Sequence, residues 1–139
     1  MIRIPFLEPS TPAPFAGLES LATAVLVLGS DGRVQWANPA AENLFEVSRK
    51  NLVKLKPEQA FQGGAVLATA IGKAAASGAS YTEQELELGI AGKAKLHLTC
   101  TVTPFEAEGA EMLLEFRHID QQLKIAREER LNEQQQANR

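Results

Sequence analysis

The spacing of apolar positions changes along the chain, and each change marks an element. Residues 24–28 are a continuous apolar run, AVLVL, of strand length. Ser30-Asp31-Gly32 follows: an Asp side chain bonds nearby backbone and Gly accepts positive φ, so the chain turns here. Residues 33–37 alternate, with Val34 and Trp36 against Arg33 and Gln35, as a half-buried strand does. Asn38 then offers a side-chain oxygen to the free N–H groups of a helix, and Pro39 occupies the first helical position, where its missing N–H costs nothing. Residues 24–45 therefore predict strand, turn, strand and capped helix.

The same reading extends to the rest of the chain. Residues 1–14 hold Pro5, Pro9, Pro12 and Pro14 and predict an extended arm. Phe15, Leu18, Leu21 and Ala22 have helical spacing, which predicts a short amphipathic helix over 15–22, weakened by Gly17. Ser48 is placed to cap a helical turn ending at Leu52, and Pro57 to begin another. Residues 65–77, AVLATAIGKAAAS, predict a long helix stopped by Gly78, with Val66, Ala70 and Ala74 on one face and Leu67 and Ile71 beside it.

Three strands follow. Residues 80–88 set Leu86 and Leu88 against Glu83, Glu85 and Glu87, and residues 89–92 predict a hairpin connection. Residues 95–103 put Leu96, Leu98, Cys100 and Val102 on one face and His97 among the polar residues on the other. A turn is expected at 106–109. The last strand, 111–119, sets Met112, Leu114 and Phe116 opposite Leu113, Glu115, Arg117 and Ile119, so its outer side needs a cover. The order implies an α+β domain: a five-stranded antiparallel sheet with helices on one face. Residues 120–139 lose Gly and Pro and predict a helix leaving the domain, or a solvated, frayed end. The run stops without apolar or glycine-bearing closure, as a helix continuing into a longer protein would.

Composition narrows the function. A net charge of −3 without clustered Lys or Arg argues against nucleic acid as a partner. The apolar runs fall short of the roughly 18 residues of a membrane span, the first residues lack a signal-peptide pattern, and the chain has 1 Cys, so a cytoplasmic setting is expected and no membrane partner.

The residues of 24–28, Asp31-Gly32, Trp36-Ala37-Asn38-Pro39-Ala40-Ala41-Glu42 and Leu44-Phe45, with the exit Phe116-Arg117-His118-Ile119-Asp120-Gln121-Gln122, resemble the PAS family. The opening TAVLVLGSDGRVQWANPAAENLFEVS and the closing EFRHIDQQLKIAREERLNEQQQANR narrow the resemblance to the N-terminal sensor domains of nitrogen-regulation sensor histidine kinases, the NtrB family. The resemblance implies a PAS fold over 15–119, preceded by the arm 1–14. It makes 120–139 an exit, or signalling, helix that starts a linker to a kinase core not in this sequence. It implies a sensory, regulatory and dimerising domain of a cytosolic two-component kinase, itself without catalytic residues. The parent kinase would control nitrogen-regulated transcription by phosphorylating a response regulator and would itself be controlled by a PII protein, both only through the parts that are missing. A homodimer is the expected assembly.

No cofactor is expected. A haem-binding PAS domain would resemble its family by carrying a histidine on the long helix, and 65–77 has none; a flavin photosensor needs a cysteine before that helix, and Cys100 is on a strand. His97 and His118, alone on strands and on different faces, make a poor metal site, with His97 on the surface and His118 partly buried or at the strand end. Cys100 reads as a small buried hydrophobe. Gly63-Gly64 lacks the lysine of a phosphate loop, and no serine or acid–base pair is set for catalysis. Glu83, Glu85 and Glu87 read as a solvated stripe protecting a sheet edge. What is left is protein binding, through a dimer or signalling surface of Phe15, Leu18, Leu21, Leu113, Ile119, Leu123 and Ala126. The alternative is a metabolite pocket between sheet and long helix, lined by Leu67, Ile71, Leu98 and Phe116, a set that also suits plain core.

Overall fold

The computed structural model describes residues 13–107 and 110–119. A 3-10 helix, Ala13–Leu18, leads into strands β1 (Ala24–Gly29) and β2 (Val34–Ala37). Helices α1 (Pro39–Phe45), α2 (Arg49–Leu52), α3 (Pro57–Ala60) and α4 (Gly64–Ser77) come next, then β3 (Tyr81–Leu88), β4 (Leu96–Ala107) and β5 (Ala110–His118). The strands form one antiparallel sheet in the order β2-β1-β5-β4-β3. The N-terminal hairpin and the C-terminal meander join through β1 and β5, where Ala24 stands opposite Phe116 and Leu26 opposite Leu114.

Each junction has a local cause. Gly32, at φ 77°, closes the β1–β2 turn, and the Asp31 carboxylate accepts from the Arg33 N–H at 3.0 Å. Gly78, at φ 70°, stops α4 in the left-handed conformation open to glycine. Ser48 sits at the α2 N-cap without a capping bond; the Glu42 carboxylate instead accepts from the Arg49 N–H at 2.9 Å. The outer edge of β2 is covered by the chain after α2, because Val34 donates to Leu55 O and accepts from the Lys54 N–H.

Alternation along β1 separates two cores. Leu26 and Leu28 join Phe45, Phe61, Leu67, Leu98, Leu114 and Phe116 beneath the helices. Phe45 packs against Phe61 at 4.7 Å between ring centroids and edge-on against Phe116 at 5.2 Å. Val25 and Val27 face the other way and join Phe15 and Trp36. The four α-helices thus share one sheet face, while the N-terminal 3-10 helix covers part of the opposite face.

Several expectations are corrected. The amphipathic helix expected over 15–22 is a 3-10 helix ending at Leu18; Leu21 lies beyond it and is 45% exposed. On α4 the buried positions are Gly64, Leu67, Ala70 and Ala74, and Val66 is 46% exposed. Leucine rather than valine sets the buried face, since the helix turns its Gly and Ala positions to the sheet. Strand β4 runs on through Pro104 to Ala107, beyond the expected end, with a register shift between Pro104 and Ala107 absorbing the proline. A second shift, between Glu83 and Leu86, breaks the expected acidic stripe. Glu83 stands opposite buried Cys100, whereas Glu87 stands opposite His97 on the outer face. His118 is the last residue of β5, opposite Leu98 and exposed there, which is the strand-end position expected for it.

Candidate functional site: two sheet faces and the groove where β1 begins and β5 ends

Asn38 connects most of this region. It is the one buried polar side chain among the described residues, and all four of its side-chain hydrogen bonds are to backbone. Its Oδ1 accepts from the Ala41 N–H at 2.9 Å, capping α1, and from the Val25 N–H at 2.9 Å. Its Nδ2 donates to Leu18 O at 3.0 Å and Thr23 O at 2.8 Å. The backbone N–H of Asn38 donates to Val25 O at 3.1 Å, so Asn38 also adds a rung to the β1–β2 ladder. One side chain therefore fixes the end of the 3-10 helix, the start of β1 and the start of α1. The cap was legible in Asn-Pro. The bonds to Leu18 and Thr23 were not, because they depend on where the preceding segment folds back.

Beside this hub lies a groove of about 870 Å³, lined by Leu21, Ala22, Pro39, Ala40, Leu44 and residues 116–118 among others. It joins a second of about 310 Å³ at Asn43, Leu44 and His118, which continues past Glu46 to Ile90 and Lys93. β1 begins and β5 ends at this groove. Chain exit is fixed on the other side, where the Ile119 N–H donates to His97 O at 2.9 Å. There the His97 imidazole approaches Glu87 at 3.5 Å.

The four candidate pocket residues come together. Leu67, Leu98 and Phe116 are buried in the helix-side core, Ile71 packs at its margin, and Phe116 also reaches the large groove. The candidate dimer residues divide. Phe15 is 3% exposed and stacks on Trp36 within its own chain at 5.4 Å between centroids. Leu18 and Leu113 are half-buried beside that stack, Leu21 is exposed in the groove, and Ile119 is half-buried at the exit. Leu123 and Ala126 lie outside the described residues. The stack itself, with the Arg49 guanidinium 5.7 Å from the Trp36 ring, was missed; two aromatics on the outer face were its only sequence signal.

The chemistry of the described residues is quiet. Burial pushes the Cys100 thiol up to about 12, with the Glu115 and Glu83 carboxylates adding to it, so the thiolate is suppressed at neutral pH. Lys73 donates to the Tyr81 hydroxyl at 3.1 Å, and this bond, with the charge attraction of Tyr81, raises its pKa above the ordinary lysine value. Among the described residues no group of three or more His, Cys, Asp or Glu is placed to hold a metal ion, and no helix is long and apolar enough to cross a membrane.

The family described as a PAS fold matches residues 18–122. The chain belongs to the PAS family. It is 35% identical over 128 residues to the sensory histidine kinase/phosphatase NtrB of Vibrio alginolyticus, covering 91% of this chain and 36% of that protein. The chain therefore spans about a third of the length of this curated relative. Among solved structures, the PAS domain of nitrogen regulation protein NR(II) from Vibrio parahaemolyticus is 30% identical; the match covers 78% of this chain and all of that one, with a TM-score of 0.62. A PAS domain from Colwellia psychrerythraea shares the fold at the same TM-score, with 15% identity over 73% of this chain and 89% of that one. The five-stranded antiparallel sheet with its helices is the PAS fold expected from the sequence.

Proposed function

We propose that this PAS domain is the sensory and dimerising input domain of a cytosolic two-component histidine kinase of the NtrB type, acting in nitrogen regulation. The observation that carries the reading is the 30% identity spanning the entire PAS domain of the NR(II) protein. The domain contributes no catalysis. It acts mechanically: Leu18, Leu21, Leu113 and Ile119, with Leu123 and Ala126 beyond the described residues, form the dimer and signalling surface, and Phe15 supports it from beneath. A change in packing at this surface alters the angle or register at which residues 120–139 continue toward a kinase core. That core phosphorylates a response regulator and is controlled by a PII protein.

Replacing the corresponding domain of the Vibrio alginolyticus NtrB with this chain tests the reading. A dimeric chimera with regulated autophosphorylation is expected, and Leu21→Asp with Leu113→Asp should weaken the dimer while leaving the fold intact. A chimera that remains monomeric at high concentration, or a kinase indifferent to the exchange, refutes it.

A second reading, metabolite binding, is supported by the groove of about 870 Å³, which falls within the size range of small-molecule sites. Of the proposed lining residues Leu67, Ile71, Leu98 and Phe116, Phe116 adjoins it. A metabolite that raises the melting temperature, with the rise lost in Ala40→Trp, supports this reading; a flat response across a metabolite library removes it.

A further inference from the structure

The two grooves beside Asn38 meet at Asn43, Leu44 and His118, and their linings differ in character. The larger, of about 870 Å³, has Ala40, Leu44 and Phe116 in its apolar lining and no carboxylate among the described residues that line it. The smaller, of about 310 Å³, carries Lys93 and His118. Lys93 belongs to the β3–β4 connection, and its Nζ donates to Glu46 O, the carbonyl of the left-handed residue that ends α1. A helix C-terminus attracts an ammonium group, but a carbonyl is neutral, and a carboxylate makes the stronger, charge-assisted bond. Among the described residues no carboxylate pairs with Lys93.

His118 is exposed, and an imidazole N–H is available to donate whether or not the ring is charged. Arg117, beside it, adds a permanent positive charge to the larger groove. The one acid in either lining is Glu46, and Lys93 holds its backbone oxygen. The flexible four-carbon stem of a lysine lets its ammonium exchange that oxygen for another acceptor. Both volumes lie within the range of small-molecule sites, roughly 300–1,000 Å³. Resting on the metabolite reading above, we propose that the joined grooves take an aliphatic carboxylate. Its hydrocarbon body lies against Ala40, Leu44 and Phe116, and its carboxylate sits between Lys93 and His118. Such a ligand touches α1, the β3–β4 connection and the end of β5 at once, beside the point where the chain leaves the sheet.

Octanoate and 1-octanol share an apolar body and differ in charge, so together they test the assignment. Added to the full chain, octanoate should raise the melting temperature. By titration calorimetry it should bind about tenfold more tightly than octanol, the worth of one charge-assisted hydrogen bond. Lys93→Met, which keeps the apolar stem and removes the charge, should weaken octanoate by about tenfold and leave octanol unchanged. In the parent chain the octanoate methylenes should show Overhauser contacts to the methyl groups of Ala40 and Leu44, which locates the ligand without any variant. Octanol binding as tightly as octanoate, or octanoate binding that ignores Lys93→Met, overturns the carboxylate assignment while the metabolite reading stands. Overhauser contacts confined to other residues overturn the site. Failure of both probes to bind overturns the proposal, and the metabolite reading falls with it only if the wider library is also flat.

Discussion

Replacing Asn38 tests whether it is a clamp on three elements or only a helix cap. Asn38→Ala removes four buried or partly buried hydrogen bonds at 2.8–3.0 Å. Loss of the cap to Ala41 alone costs about 1 kcal/mol. The Val25 N–H becomes a buried donor without this acceptor, at about 1–3 kcal/mol. Leu18 O and Thr23 O are partly buried, so water recovers much of their loss, and together they add about 1 kcal/mol. The sum, about 3–5 kcal/mol, is a large share of the roughly 5–15 kcal/mol that holds a domain folded. It should lower the melting temperature by more than about 10 °C.

Urea unfolding measures the loss directly. Asn38→Asp identifies its origin, because it retains the acceptor toward Val25 and Ala41 but points a carboxylate at two carbonyl oxygens. Burial and those carbonyls raise the carboxyl pKa in the folded state above its unfolded value near 3.9. The variant's stability relative to the parent is therefore fully present below about pH 4 and is lost as pH rises through the folded pKa, by at most about 1.4 kcal/mol per pH unit. An Asn38→Ala loss near 1 kcal/mol, with an Asn38→Asp penalty that does not change between pH 4 and pH 7, would refute the clamp and leave a simple cap.

Two further predictions use the core and the long helix. The Cys100 thiol, raised from 9.0 to about 12, ionises in the unfolded chain before the folded one, so its contribution is intact below about pH 9 and fades as pH rises toward 12; the stability gap between the parent and Cys100→Ala should accordingly shrink between pH 8 and pH 11 in chemical denaturation. A Cβ on Gly64 would sit 2.4 Å from Pro57 O, a backbone atom, whereas one on Gly72 meets nothing within 4 Å. Gly64→Ala should thus destabilise by about 1–3 kcal/mol despite its better helix propensity, and Gly72→Ala should stabilise by about 0.5–1 kcal/mol, both read by thermal melts.

The strands, α1 and α4 were legible because their signals are local: alternation, Asp-Gly, Asn-Pro, and a glycine stop. The errors share a different origin. Helical spacing puts Val66, Ala70 and Ala74 on one face of α4 with Leu67 beside it, but it does not say where the sheet lies, and the sheet takes Leu67 with Ala70 and Ala74 and leaves Val66 outward. The parity of Glu83 depended on a bulge that alternation alone does not reveal. Phe15 was read as a contact for a second chain because nothing in its neighbourhood announced Trp36, 21 residues away, as its partner. Strand periods carry information about faces, and long-range partners on those faces emerge only when the sheet closes.

The sheet order brings the segment entering β1 beside the segment leaving β5. β1 and β5 are antiparallel neighbours, so the start of one lies beside the end of the other, and Ala24 pairs with Phe116. Residues 21–24 and 116–118 consequently line one groove. Asn38 ties the entering segment to β1 and α1 through Leu18, Thr23, Val25 and Ala41, while Ile119 is held to β4 through His97 O. A displacement of the entering segment would strain the partly buried bonds from Asn38 to Leu18 O and Thr23 O, while Leu26, Leu114 and Phe116 belong to one buried core cluster. Under the proposed mechanism, a shift of β1 would be passed through its pairing with β5 to the point where the chain leaves the sheet. The mechanical mechanism proposed above would run through the β1–β5 ladder, which lies between the entering and leaving segments.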